Sequence, residues 1–175
     1  MQLAELPAGE RILAPVRPAT IAASLAAALA LAFLPWRDVL LVPDFVALAL
    51  AFWCVHEPRR VGLATAWALG VVVDVGNGVL LGQHALAYAF LAFGAIELSR
   101  RILWFGPWGQ ALHVAGLLVL AQAVALAVRL AAGADFPGWT ILVGPIIGAA
   151  LWPALGALRL ILPRRASEPE APRAL

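Results

Sequence analysis

The chain has 175 residues, of which 63% are hydrophobic and 13% are charged, and its formal net charge is +2. Soluble domains are about 45–50% apolar, and a compact domain of this size still leaves roughly a third of its chain surface in water. The composition therefore excludes an ordinary soluble domain and predicts a protein that has lipid as its main solvent.

All twelve basic residues are arginines. Because they cluster between apolar runs, the pI near 9.5 indicates loops that face anionic lipid rather than nucleic-acid binding. The single cysteine, Cys54, excludes an intramolecular disulfide and a cysteine-based zinc site, and the three histidines form no ligand-spaced pair. We expect no metal and no cofactor.

Six apolar stretches approach the length of about 20 residues that a spanning helix needs, with roughly 17 as the lower limit. They predict an all-α membrane protein, a bundle of about six transmembrane helices over residues 19–162. The first run contains Ala-x-Ala triplets that also fit a signal peptide, but its upstream flank carries acidic residues and five more runs follow. In chain order the runs cover 19–36, 39–55, 61–75, a fourth ending near Ile96, 111–132, and 139–162, the last broken by Pro145 and Pro153.

The arginines predict the orientation of the bundle. If the N-terminal segment 1–18 lies inside, an even number of spans gives a ten-to-two excess of arginine on the inside, as the positive-inside rule requires. The polar, proline-rich residues 163–175 then form a disordered cytoplasmic tail. The inside set is Arg11, Arg17, Arg59, Arg60, Arg100, Arg101, Arg159, Arg164, Arg165 and Arg173, and the outside set is Arg37 and Arg129.

The boundary between the third and fourth runs has three interpretations. Gly76-Asn77-Gly78 is a strong turn signal, which leaves a third span of only about 15 residues. Alternatively the third helix continues to Leu81, or residues 76–84 form a re-entrant segment surrounded by protein or water.

Asp74 and Asp44 are the main candidates for a polar site. An ionisable residue inside a span suggests a function by default, so Asp74 is a candidate proton site, ion site or partner-binding carboxylate. The structural alternative is that Asp74 ties down the adjacent turn through backbone N–H groups, and His84 is a candidate partner for it. Asp44 after Pro43 predicts a helix N-cap, unless the helix starts at Asp38 and Pro43 lies in its first turn.

Small residues recur every four positions in two places, which predicts helix faces that pack closely in lipid. Packing within the bundle is the simpler interpretation, and a homodimer remains open. The first series is Gly62, Ala66, Gly70, Asp74, Gly78 and Gly82, and the second is Gly144, Gly148, Trp152 and Gly156. No nucleophile–base pair, phosphate-binding loop or catalytic carboxylate pair is recognisable, so we expect no catalytic residue and no enzyme.

The order of the motifs resembles the MreD family, the rod shape-determining membrane proteins of the bacterial cell-elongation machinery. The similarity covers about residues 30–162. The motifs that carry it are LPWRD (34–38), PDF (43–45) with FW (52–53), EPRRVG (57–62), GVVVDVGNG (70–78) with LG (81–82) and LAY (86–88), and GAALWP (148–153) with LR (158–159).

The resemblance implies a non-enzymatic protein of the bacterial cytoplasmic (inner) membrane. Its partner would be MreC, which links the MreB cytoskeleton to the cell-wall synthase RodA and its penicillin-binding partner. It also implies a six-helix arrangement similar to the substrate-binding subunits of energy-coupling-factor vitamin transporters. Asp74 with Gly70, Gly78 and Gly82 matches the central family signature, and we expect this region to shape the surface offered to MreC. The alternative function is a substrate-binding subunit of a small-molecule, vitamin-like transporter.

Overall fold

The computed structural model describes residues 16–35 and 42–161. These residues form α1 (Pro18–Ala32), α2 (Phe45–His56), α3 (Leu63–Asn77), α4 (Gln83–Leu103), α5 (Pro107–Ala131) and α6 (Val143–Ile161). A single-turn 3-10 helix, Trp139–Leu142, leads into α6. The described part of the protein is all-helical, which confirms the all-α class expected from the apolar runs. The predicted interface residue Trp36, the alternative start at Asp38 and the tail from residue 163 lie outside the described residues.

α2 is the central helix of the bundle. Nine of its twelve residues are buried, and it packs against α1, α4, α5 and α6. A helix that is hydrophobic on every side is typical of such a position. The other helices carry large apolar side chains on their outer faces, among them Trp67, Phe93, Leu112 and Ile146, which are 54–74% exposed. Continuous apolar faces of this kind fit contact with lipid better than contact with water.

The helices differ in their capacity to cross a membrane. By length and composition, α5 and the segment Trp139–Arg159 are long and apolar enough to span one, whereas α1, α2 and α3 are shorter apolar helices of 15, 12 and 15 residues. At 1.5 Å per residue, α2 is only about 18 Å long, compared with a hydrocarbon core of about 30 Å. The central helix by itself is therefore shorter than the hydrocarbon core.

Hydrogen bonds join the start of α1 to the end of α2, and the start of α5 to the middle of α6. The Val16 amide, just before α1, donates to Glu57 Oε1 after α2 at 3.5 Å, and Arg60 donates to the Val16 carbonyl. Near the start of α5, Gln110 Oε1 accepts from Trp152 Nε1 of α6 at 3.0 Å. Six of the seven described arginines lie at this end of the bundle, beside these contacts or in the last turns of α4 and α6, and Arg129 lies at the opposite end.

Two predictions about the helices are wrong: the end of the fourth and the break in the sixth. α4 continues past Ile96 to Leu103 and includes Glu97, Arg100 and Arg101, because long charged side chains can extend to the membrane surface while the backbone remains helical. α6 is not broken by its prolines. Pro145 lies in the first turn, where backbone N–H groups have no intrahelical acceptor, so the missing N–H of proline costs no hydrogen bond. Around Pro153, the burial of the neighbouring Trp152 stabilises the helix.

Candidate functional site

Asp74, in the last turn of α3, forms the centre of the corner between α3 and α4. Its side chain is fully buried and accepts four hydrogen bonds. Oδ2 accepts from the amides of Gly82 (2.8 Å) and Ala85 (3.3 Å), and Oδ1 accepts from the amide of His84 (2.9 Å) and its Nδ1 (2.7 Å). The first N–H groups of a helix lack intrahelical partners, so the carboxylate of α3 caps the amino end of α4.

Gly70 allows α3 and α4 to come this close. It lies one turn before Asp74 on the same face of α3, and a Cβ there would lie 2.4 Å from the Cα of Ala85 and 2.7 Å from the carbonyl carbon of His84. These neighbours are backbone atoms that cannot rotate away. The four-residue spacing of small residues thus reflects internal packing at Gly70.

Gly78 and Gly82 bound the turn between the two helices. Gly78 ends α3 with φ +62°, and Gly82 precedes α4 with φ +98°. L-residues with a side chain rarely adopt such angles. Of the three interpretations of residues 76–84, the described structure has the short turn, because α3 ends at Asn77 and α4 begins at Gln83. The small-residue series therefore leaves the helix after Asn77.

Asp44 performs the corresponding role at the amino end of α2. It is the N-cap residue, and its Oδ1 accepts from the Ala47 amide at 2.9 Å. The Tyr88 hydroxyl of α4, which sequence reasoning did not single out as a site residue, donates to the same carboxylate at 2.7 Å. Tyr88 lies one turn after His84, and their rings are 5.7 Å apart. Asp74, His84, Tyr88 and Asp44 thus form a row of polar side chains across three helices, which we call the polar chain; its two ends are hydrogen-bonded pairs, and the rings of His84 and Tyr88 join them.

Pro43 brings the segment before α2 against α6. It is buried, and it lies beside two glycines of the second small-residue series: a Cβ on Gly144 would be 3.2 Å from the Val42 carbonyl oxygen, and a Cβ on Gly148 would be 3.8 Å from the Pro43 Cβ. The helix therefore begins at Phe45, after Pro43. Trp152 of the same series is buried against Phe52.

A cavity of about 310 Å³ lies beside the polar chain. It lies at the end of the bundle opposite the arginine cluster, since it contacts the last residues of α1 and α3 and the first residues of α2, α4 and α6. A second pocket of about 20 Å³, room for about one water molecule, contacts Asp44, His84 and Tyr88. The polar side chains that line the larger cavity are Asp44, Asn77, His84, Tyr88, Gln122 and Thr140.

Gln122 of α5 is a further residue of this cavity that sequence reasoning missed. It is half-buried and lines both pockets. It is also the one polar residue in the otherwise apolar stretch from Val114 to Val128, which is the sequence signal that could have identified it. The described residues contain no group of three or more metal-ligating side chains. The polar side chains of this cavity can donate hydrogen bonds to a polar molecule and accept hydrogen bonds from it.

Comparison with known proteins gives one consistent result. The family model described as rod shape-determining protein MreD matches residues 12–160. The chain is similar to the rod shape-determining protein MreD of Haemophilus influenzae, with 26% identity over 140 residues that cover 77% of this chain and 84% of the relative. No solved structure matches the chain significantly, so the similarity to vitamin-transporter subunits stays a prediction.

Proposed function

This chain belongs to the MreD family of rod shape-determining membrane proteins, and from that premise we propose that it is a non-enzymatic scaffold of the bacterial cell-elongation complex. Its direct partner in this proposal is MreC, through which it supports peptidoglycan synthesis by RodA and the penicillin-binding partner of RodA, with MreB reached indirectly. The observation that carries the proposal is the family match over residues 12–160, which includes every helix described above except the last residue of α6.

We further propose that all six helices cross the bacterial cytoplasmic membrane, with both chain ends inside. The distribution of charge supports this orientation, since six of the seven described arginines lie at one end of the bundle. The cavity and the polar chain then lie on the outer side. The short α2 is compatible with spanning, because it is surrounded by protein and its amino end opens to a polar cavity, where non-helical backbone is tolerated at membrane depth.

The corner between α3 and α4 is the surface we propose for MreC. Its backbone is fixed from inside by Asp74, while Val75 and Leu81 point outward and are 68% and 66% exposed. Val79 and Leu80, between them in the chain, are 40% and 47% exposed. A rigid apolar corner on the outer side suits a protein partner, because removing apolar surface from water at an interface lowers the free energy of the complex.

Co-purification with MreC tests this proposal. We expect MreC co-expressed with the wild-type chain to be retained in detergent, and Leu80→Ser with Leu81→Ser to reduce the recovered MreC several-fold. Phe136→Ser is the matched control, since Phe136 is 45% exposed in a different loop at the same end of the bundle. If MreC fails to co-purify with the wild-type chain and depletion of the chain leaves cells rod-shaped, the scaffold proposal is wrong.

The second candidate function is the substrate-binding subunit of a small-molecule transporter. The cavity of about 310 Å³ favours it, because this volume lies at the lower end of the range of small-molecule sites. Uptake of a vitamin-like substrate that depends on this chain would support the transporter over the scaffold, whereas normal uptake in a depleted strain that loses its rod shape would support the scaffold.

A further inference from the structure

Gln122 presents an unpaired amide to the cavity. Gln110, on the same helix, has its side-chain oxygen bonded to Trp152 at 3.0 Å, whereas Gln122 makes no hydrogen bond with the described part of the protein. A half-buried amide in an apolar helix is costly unless its oxygen and nitrogen find partners. Gln122 lines the cavity and the smaller pocket beside it, so a molecule in this space can supply those partners.

No lysine or arginine is among the described residues that line the cavity, whereas two carboxylates lie close to it: Asp44 lines it, and Asp74 lies behind His84, to which it is hydrogen-bonded at 2.7 Å. The amino end of α2 contributes only about half a positive charge, which does not neutralise the Asp44 carboxylate. Among the described residues that line the cavity, Asp44 is the only carboxylate.

The hydrogens of the polar chain are already engaged within the protein. Tyr88 donates its hydroxyl hydrogen to Asp44, and His84 donates from Nδ1 to Asp74, because a carboxylate can only accept. The groups left to the cavity include donors as well as acceptors, because Asn77 and Gln122 carry NH₂ groups and Thr140 carries a hydroxyl. The charged acceptor among the described residues that line it is the Asp44 carboxylate, which has further lone pairs. A molecule that fits must supply a positive charge for Asp44 and a polar group for the amide of Gln122.

We propose that this cavity is a binding site for a molecule that carries an ammonium group and a second polar group, either a free amino alcohol or the amine-bearing headgroup of a lipid. The ammonium binds Asp44, and the second group pairs with the amide of Gln122. The proposal goes beyond the role in cell shape and does not depend on it. Neither an anion nor an apolar molecule satisfies both residues.

Matched probes test the charge requirement. The full chain in a non-ionic maltoside detergent is titrated with 5-aminopentan-1-ol, with pentane-1,5-diol, which has a hydroxyl in place of the ammonium, and with 5-hydroxypentanoate, which is an anion. Calorimetry gives the dissociation constants. We expect the amino alcohol to bind at least tenfold more tightly than the other two. Equal binding of all three, binding of none, or a preference for the anion would overturn the proposal.

Substitutions test which residues are responsible. Asp44→Asn removes the charge but keeps an N-cap acceptor, and we expect it to abolish the tenfold preference for the amino alcohol. Gln122→Leu should weaken both the amino alcohol and the diol several-fold, and Gln122→Glu should tighten the amino alcohol, which keeps the test decisive if Asp44→Asn does not fold. Gln83→Leu, outside the cavity, is the matched control and should change nothing. Retention of the full preference in Asp44→Asn, or no effect of either Gln122 variant, would refute the assignment.

The source of the ammonium is resolved in lipid nanodiscs. Native mass spectrometry measures which lipid the chain retains. If the wild-type chain retains phosphatidylethanolamine in preference to phosphatidylglycerol and Asp44→Asn loses this preference, the lipid headgroup is the ligand. Equal affinity for the amino alcohol in the two lipids identifies a free molecule. Both outcomes support the cavity as an ammonium site, and the absence of both would overturn it.

Discussion

Asp74→Asn tests the role of the buried carboxylate most directly, because the change keeps size and shape while removing the charge and one acceptor atom. In the wild-type protein each carboxylate oxygen accepts two hydrogen bonds. In asparagine one of these oxygens becomes an NH₂ group, which cannot accept a hydrogen bond. At the Oδ2 position it would face two backbone N–H donors, whereas at the Oδ1 position it would face one backbone N–H and the His84 ring, whose Nδ1 accepts in the other tautomer. At least one of the four hydrogen bonds is therefore lost, and the others lose the charge of their acceptor.

The magnitude follows from the lost bond and the lost charge. A hydrogen bond to a charged group contributes about 1.5–3 kcal/mol net and one between neutral groups about 0.5–1.5 kcal/mol, so the lost bond costs about 2 kcal/mol and the weakening of the remaining bonds about 1 kcal/mol. We expect the free energy of unfolding to fall by about 3 kcal/mol, roughly a hundredfold in the equilibrium constant. The assay is unfolding in mixed detergent micelles containing sodium dodecyl sulfate, followed by tryptophan fluorescence.

Asp135→Asn is the control, since Asp135 is exposed in the loop after α5 and its substitution should leave the unfolding midpoint unchanged. An ion or proton site held open at Asp74 makes the opposite prediction, because neutralising an uncompensated buried charge increases stability. An Asp74→Asn protein as stable as the wild type, or more stable, would refute the role of this carboxylate as the cap of α4.

Three further substitutions have defined expectations in the same unfolding assay. Gly70→Ala places a methyl group 2.4 Å from a backbone atom and should lower the free energy of unfolding by about 3 kcal/mol, the upper part of the range for overpacking. Gly62→Ala, where the new methyl group has no atom within 4 Å, should be close to neutral. Equal effects of the two would show that α3 and α4 are not this close. Gly78→Ala should cost about 1 kcal/mol because of its positive φ, and no loss would mean that the turn has another conformation. Tyr88→Phe should cost about 1.5 kcal/mol by removing the donor to Asp44, and a wild-type midpoint would show that this hydrogen bond contributes nothing.

The helices and their order could be predicted from the sequence because apolar length and turn residues are local signals. The apolar runs correspond to helices, and the amino end of α2 lies next to the Pro43-Asp44 pair that suggested it. The ends of α4 and α6 could not be predicted from hydropathy, because an interfacial turn with arginine and a helix with proline both score as interruptions while the backbone remains helical.

The contacts of the site could be predicted only in part. Asp74 and His84 are ten residues apart, so their pairing depended on a turn whose position the sequence left open. The contact of Asp44 with Tyr88 joins residues 44 positions apart on two helices. α2 is apolar on all sides, so periodicity does not indicate which of its faces meets α4. Gln122 was visible as a polar residue in an apolar helix, but its neighbours depend on the same unknown rotation.

The four hydrogen bonds of Asp74 also influence the order in which the chain can assemble. Their donors lie only eight to eleven residues further along the sequence, and a loop of about ten residues closes in about 10–100 ns. During synthesis, the carboxylate can therefore acquire all of its partners once residue 85 is free to fold, and it needs no residue of α5 or α6 for this. The chain never has to keep this charge unpaired while it waits for a distant segment, and the hairpin of α3 and α4 can serve as a preassembled unit on which later helices dock.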